Sequence, residues 1–94
     1  MKAVWTRAAI RDITHVREYI ANENPGAARE IALKIVDAAE RITRFPELGR
    51  IGRVNDTREL VVSGTQYLII YRSKKNAIHF LRVLHGHQKW PRGK

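Results

Sequence analysis

Apolar positions repeat at helical spacing through the first half of the chain and at strand spacing through the second. Residues 2–5, KAVW, predict a short strand with Val4 and Trp5 on opposite faces. Thr6 suits a helix N-cap, and Ala9, Ile13, Val16 and Ile20 follow at spacings of four, three and four, which predicts an amphipathic helix to about Glu23. Asn24-Pro25 restarts the pattern: Asn caps with its side chain, and Pro fits a first helical position that needs no N–H. Ala28, Ile31, Ile35, Ala39 and Ile42 then form the stripe of a second helix. Glu30 with Lys34, Asp37 with Arg41 and Glu40 with Arg44 each place an acid four residues before a base. Such pairs contribute only about 0.2–0.5 kcal/mol each, so they describe a solvated face rather than a site. Phe45-Pro46 ends the helix, because the residue before proline is pushed out of helical backbone.

After the loop PELGRIGRVNDT the period changes. RELVV (58–62), QYLIIYR (66–72) and AIHFLRVLH (77–85) are rich in Val, Ile, Tyr and Phe, and the short separators SGT and SKKN predict an antiparallel meander. In the last segment, simple alternation puts His79, Leu81, Val83 and His85 on one face and Ile78, Phe80, Arg82 and Leu84 on the other. Both sets are partly apolar, so parity leaves open which face is buried. The expected architecture is α+β: an N-terminal strand, a helical hairpin of two antiparallel helices, then a three-stranded antiparallel meander (βααβββ), with the helices on one sheet face. Residues 1–94 read as a single domain, with 86–94 as a basic C-terminal tail.

Composition narrows the chemistry. A chain of 94 residues has little room for a deep substrate cavity. There is no cysteine, and His15, His79, His85 and His87 lack zinc-site spacing, so neither metal nor cofactor is expected. No apolar run approaches the ~18 residues of a membrane span, and MKAVWTRAAIRD lacks a signal-peptide core, so a cytoplasmic protein is expected. Charge is unevenly divided. Residues 1–47 carry eight Lys/Arg against seven Asp/Glu, whereas residues 48–94 carry ten against two, so +8 of the net +9 lies in the second half. That asymmetry points to an anionic partner, nucleic acid or an acidic protein.

Several groups carry candidate chemistry. Gly49-Arg50-Ile51-Gly52-Arg53 sets two arginines beside two glycines, either to approach an anion or as an ordinary crossover; it lacks the spacing of a nucleotide-binding loop. Arg58 and Arg82 fall in predicted strands, where Glu59 or another acid could neutralise them, but Asp56 and Glu59 are the only acids in their half for ten bases. Arginines short of intramolecular partners are expected to contact a partner's carboxylates or phosphates. His85 and His87 suit a general acid and base, or are exposed polar residues at a strand end. Trp90 beside Pro91 either docks on the core or presents a stacking surface. Tyr67 and Tyr71 share one face of the middle strand.

Taken together, FPELGRIGRVNDTRELVVSGTQYLIIYR, the following AIHFLRVLHGHQKWP and the preceding VWTRAAIRDITHVREYIANENPGAA resemble the ParE branch of the RelE/ParE toxins of bacterial type II toxin-antitoxin systems. The set FPxxGRxGR, TRELVV, GTxY and RVLH is specific in combination, and the likeness covers nearly the whole chain. It implies a small sheet flanked by a helical hairpin. It also implies a growth-inhibiting toxin, of a kind associated with plasmid stabilisation, held in a hetero-oligomer by a cognate acidic antitoxin and acting on DNA gyrase by protein contact, without a catalytic set. Under that likeness the residues facing target or antitoxin are Arg50, Arg53, Arg58, Tyr71, Arg82, His85, His87 and Trp90. RelE-like relatives are instead ribosome-dependent mRNA endoribonucleases, whose site includes an arginine directly after the aromatic that opens the middle strand. Here that aromatic is Tyr67 and the next residue is Leu68, which cannot stabilise charge on a phosphate. Under the ribonuclease alternative, with ribosome and mRNA as partners, the catalytic candidates are Arg58, Arg82, His85 and His87. A third alternative is a non-toxic relative that only binds an antitoxin.

Overall fold

The computed structural model describes residues 1–22, 24–86, 88 and 90. Chain order is β1 (Lys2–Trp5), α1 (Arg7–Ala21), α2 (Pro25–Arg44), β2 (Arg50–Ile51), β3 (Arg58–Val61), β4 (Tyr67–Lys74) and β5 (Ala77–His85). Both helices begin as their caps dictate: Thr6 Oγ1 accepts from Ala9 N–H, and Asn24 Oδ1 accepts from Ala27 N–H, each at 3.1 Å. Phe45 closes α2. Lys75 and Asn76 both have positive φ, the requirement of a two-residue type I′ turn, so β4 runs on to Lys74 before reversing into β5.

The sheet order is β1-β5-β4-β3-β2, with β1 parallel to β5 and the other pairs antiparallel. The short edge strand β2 lies inside the segment expected to be a loop. Two residues carry no periodicity, so pairing of Arg50 with Glu59 and Ile51 with Arg58 is set by the neighbouring strand rather than by local pattern. The helices cover one face. Ala9, Val16, Ile35, Ala38, Ala39 and Ile42 pack on Val62, Ile69, Tyr71, Ile78, Phe80 and Val83. Trp5 stacks on Phe80 at 4.3 Å between ring centroids. The opposite face holds a smaller cluster of Leu68, Ile70 and Leu84, with Leu81 and Trp90 packed against it. Both faces of the central strands are therefore buried, which is why parity could not choose between them.

Alternation also fails in β5 for a local reason. Ile70 pairs with Arg82 but Tyr71 pairs with Phe80, so Leu81 is an extra, bulged residue. Ile78, Phe80 and Val83 therefore share the helix-covered face, correcting the expected division of that strand. The bulge sits where β1 gives way to α1: Thr6 N–H donates to Phe80 O, and Thr6 Oγ1 donates to Leu81 O at 3.0 Å.

Tyr71 is fully buried, which corrects its expected place on a partner-facing surface. Its hydroxyl donates to Pro46 O at 2.7 Å and accepts from Gly49 N–H at 2.8 Å, pinning the chain between α2 and β2. Glycine is needed at 49 because a Cβ would stand 2.8 Å from that hydroxyl. Burial raises the Tyr71 pKa despite the Gly49 bond, so the hydroxyl keeps its proton. Tyr71→Phe strands a buried N–H and a carbonyl and is expected to lower stability by about 1–3 kcal/mol, read as a lower urea midpoint at unchanged m. A midpoint equal to that of the parent protein would show that the hydroxyl does not hold this segment.

Candidate functional site: the sheet face beneath Trp90 and the end of β5

β3 alternates so that Leu60 and Val62 face the helices while Glu59 faces the other side, beside Ile70 of β4. Glu59 is 2% exposed, yet it is not neutralised by a proton. Desolvation raises its pKa, but the Arg53 N–H, the Arg50 guanidinium and the charges of both arginines outweigh it, and the net shift is downward. Arg53 N–H donates to Oε2 at 3.0 Å, Arg50 Nη2 donates to Oε1 at 3.1 Å, and Arg53 Nη2 lies 3.7 Å from Oε1. Arg53 Nη1 continues outward to Trp90 O at 3.2 Å. A single carboxylate thus holds the β2 loop, and through Arg53 the loop reaches Trp90. Trp90 lies against Leu68, Ile70 and Leu84, so it docks on the sheet, while its indole N–H is buried without a hydrogen-bond partner.

Arg82 has a different neighbourhood. Its Nε and Nη2 donate to Asp12 Oδ2 and Oδ1 at 2.7 and 3.0 Å, a bidentate pair between β5 and α1. This hydrogen bond holds the Arg82 pKa above its ordinary value. Asp12 Oδ2 also accepts from Val83 N–H at 2.9 Å, and Gln88 Oε1 accepts from His85 N–H at 2.7 Å. Those two side chains occupy backbone groups of β5 that β1 has stopped short of covering. His85 Nε2 lies 2.6 Å from Gln66 Oε1, and its ring stands edge-on to Tyr67 at 5.5 Å. Asp12, His15, Tyr19, Tyr67, His85 and Gln88 line a cleft of about 460 Å³ there. Burial, aided by Tyr19, raises the Tyr67 pKa.

The expectation that these arginines lack intramolecular partners is therefore corrected for Arg50, Arg53 and Arg82. Arg58 is engaged too, donating through Nη1 to Gly49 O at 2.7 Å. Arg50, Arg53 and Trp90 come together on one sheet face and His85 with Arg82 at the end of β5; Arg58 lies apart at the loop after α2, and His87 falls outside the described residues. Asp12 and Gln66 were not singled out from the sequence, and Glu59 was named there only as an acid that could neutralise Arg58 or Arg82, whereas it holds Arg50 and Arg53. Asp12 meets its arginine across 70 positions, a relation no local pattern carries.

Among the described residues no group of three or more His, Asp and Glu forms a metal cradle, and no helix is long and apolar enough to cross a membrane. What remains is a basic α+β domain with one helix-covered sheet face and a second face closed by an arginine-held loop and a tryptophan. The family described as ParE toxin of type II toxin-antitoxin system, parDE, matches residues 3–90, and the chain belongs to it. It is similar to Y4kP of Sinorhizobium fredii, 37% identical over 93% of this chain and 90% of that protein. It is also similar to toxin RelE2 of Caulobacter vibrioides, 37% identical over 90% of this chain and 94% of that one. A solved chain from the chromosomal ParDE TA system of P. aeruginosa shares the fold, with a TM-score of 0.82 over 90% of this chain and 95% of that chain at 23% identity. The protein is thus the toxin of a type II toxin-antitoxin pair, with an antitoxin as its partner.

Two outcomes follow from the charged contacts. Because the folded Glu59 pKa lies below its unfolded value, its contribution is present above the ordinary glutamate value of 4.5 and is lost as pH falls through the depressed folded value. Glu59→Gln is expected to cost about 1–3 kcal/mol near neutral pH and to flatten this acid-side fall in stability, measured by urea unfolding across pH. An unchanged acid profile would reject the assignment. Asp12→Ala leaves Arg82, whose side chain is only 19% exposed, without its partner. A loss of about 3 kcal/mol is expected, and Arg82→Met with Asp12→Ala together is expected to lose less than the sum of the two single losses; additive losses would mean that the pair is not coupled.

Proposed function

We propose that this chain inhibits DNA gyrase by protein contact, through the Trp90-covered sheet face and the end of β5, and that a cognate acidic antitoxin neutralises it. The observation that carries the reading is Leu68. It is the residue directly after the aromatic that opens β4, it is 8% exposed, and it packs with Ile70 and Leu84 under Trp90. A transesterification site needs a cation where charge develops on the phosphate, and an apolar cluster fills that place. The same cluster suits a protein interface: an apolar centre with an aromatic anchor and a rim containing Arg50 and Arg53. An antitoxin has further surface on the helical hairpin, where Arg17 and Arg29 flank a groove beside the exposed Leu33 and Val36.

A second reading, ribosome-dependent mRNA cleavage, has one observation in its favour. His85 is held by Gln66 and Tyr67 in a cleft with His15 and Tyr19, an arrangement able to position an imidazole. It predicts codon-dependent cuts in a translating extract that disappear in His85→Ala, and intact message would rule it out.

For the gyrase reading, purified toxin with gyrase and ATP is expected to accumulate cleaved DNA complexes. Trp90→Ala is expected to raise the concentration needed by about tenfold while the protein stays folded, as for loss of an interface anchor. Gyrase unaffected by the parent protein would sink the proposal.

A further inference from the structure

β4 outruns its neighbour: its last pairing with β3 is Tyr71 with Arg58, yet the strand continues to Lys74. The step leaves a notch of about 490 Å³ lined by Ile51, Asp56, Thr57, Arg58, Arg72, Ser73 and Lys74. It is separate from the Leu68–Trp90 cluster and from the His85 cleft, which none of these residues lines. Three of the lining side chains are cationic and one is acidic. Lys75 follows in the exposed turn, and the exposed Lys2 is tied to that turn by its N–H donating to Asn76 O at 3.3 Å. Five cations therefore lie at this end of the sheet, and Asp56 is the one acid lining the notch.

Two details distinguish the notch from a merely soluble surface. Arg58 is held from behind by Gly49 O, so its guanidinium is already oriented. Arg72 carries a buried Nε–H with no hydrogen-bond partner, a donor whose desolvation is uncompensated. Two guanidinium groups, one of them already oriented, beside an ammonium make a receptor for an oxyanion. The walls indicate which oxyanion. A peptide carboxylate bound specifically comes with apolar anchors, whereas here Ile51 is the one apolar lining residue and the others are charged or hydroxylic. Hydroxyls, arginine and a row of solvated lysines are the usual partners of a nucleic-acid backbone.

We propose that this notch binds a backbone phosphate of a nucleic acid, with Arg72 and Arg58 on the phosphate oxygens and Lys2, Lys74 and Lys75 following the adjoining strand. The contact is sequence-independent, and it accounts for part of the +8 charge that the toxin-antitoxin reading leaves unused. It does not rest on gyrase as the target, because it concerns direct binding by the isolated chain.

The test is fluorescence anisotropy of antitoxin-free protein with labelled single-stranded DNA, the matching duplex and single-stranded RNA, over a salt series. Arg72→Gln with Lys74→Gln is compared with Arg7→Gln with Arg11→Gln, which removes the same charge from exposed helix positions. Thermal melts confirm that both variants fold. The notch variant is expected to bind about fivefold or more weakly near 0.15 M salt, with a salt slope reduced by about 1 to 2, while the helix variant stays close to the parent. Which probe suffers the larger loss distinguishes a DNA from an RNA source, and either supports the site. Equal loss in the two variants, no binding of the parent to any probe, or displacement by oligoglutamate as effective as by unlabelled oligonucleotide of equal charge would overturn it.

Discussion

Much of the second sheet face depends on a carboxylate that has no access to water. Glu59 projects from β3 into the space beneath the β2 loop, where an unpaired charge would cost several kcal/mol. Two guanidinium groups and a backbone N–H surround it, and meeting that demand forces the loop to lie against the sheet. The arginines remain more than half exposed, so each has one side committed inward and one facing solvent. Arg53 uses the outward side to reach the Trp90 carbonyl, which couples Trp90 to a buried charge far from it in sequence.

The first sheet face has a different anchor. There the helices supply the cover, and β5 must pass from pairing with β1 to facing α1 along its own length. The Leu81 bulge makes that transition, and Asp12 completes it by taking both the Arg82 guanidinium and the Val83 N–H. A strand edge that would otherwise invite another chain is closed by side chains. The result is a sheet with two differently closed faces: one rigidly packed on helices, one held by polar contacts and a single aromatic ring whose N–H has no partner. Of the two, the second is the easier to open to another protein, since less apolar surface keeps it shut.

Membership in the ParE toxin family gives this arrangement its setting. A toxin must offer surface to both a target and an antitoxin, and the structure divides the charge accordingly. Arginines nearest the sheet are used internally, as Arg50, Arg53, Arg58 and Arg82 demonstrate, while cations at the Lys74–Asn76 end have few acidic neighbours. Net charge therefore overstates the number of groups available to partners, and what matters is which cations the fold leaves unoccupied.

The two helices, their caps, the three long strands and the order of elements were legible in the sequence, because each depends on contacts within a few residues: Thr6 with Ala9, Asn24 with Ala27, the apolar stripe of Ile31, Ile35 and Ile42, the turn at Lys75-Asn76. The resemblance in motifs also led to the right class of protein. Local pattern could not supply β2, the bulge at Leu81, the burial of Tyr71 or the partners of the arginines. A two-residue strand has no period, a bulge changes the parity on which face assignment rests, and a salt bridge spanning 70 positions leaves no trace in spacing. Sequence determined which residues could be charged, apolar or turn-forming; tertiary structure decided which charges were spent inside, because only the folded chain brings Asp12 to Arg82 and Glu59 beneath Arg50 and Arg53.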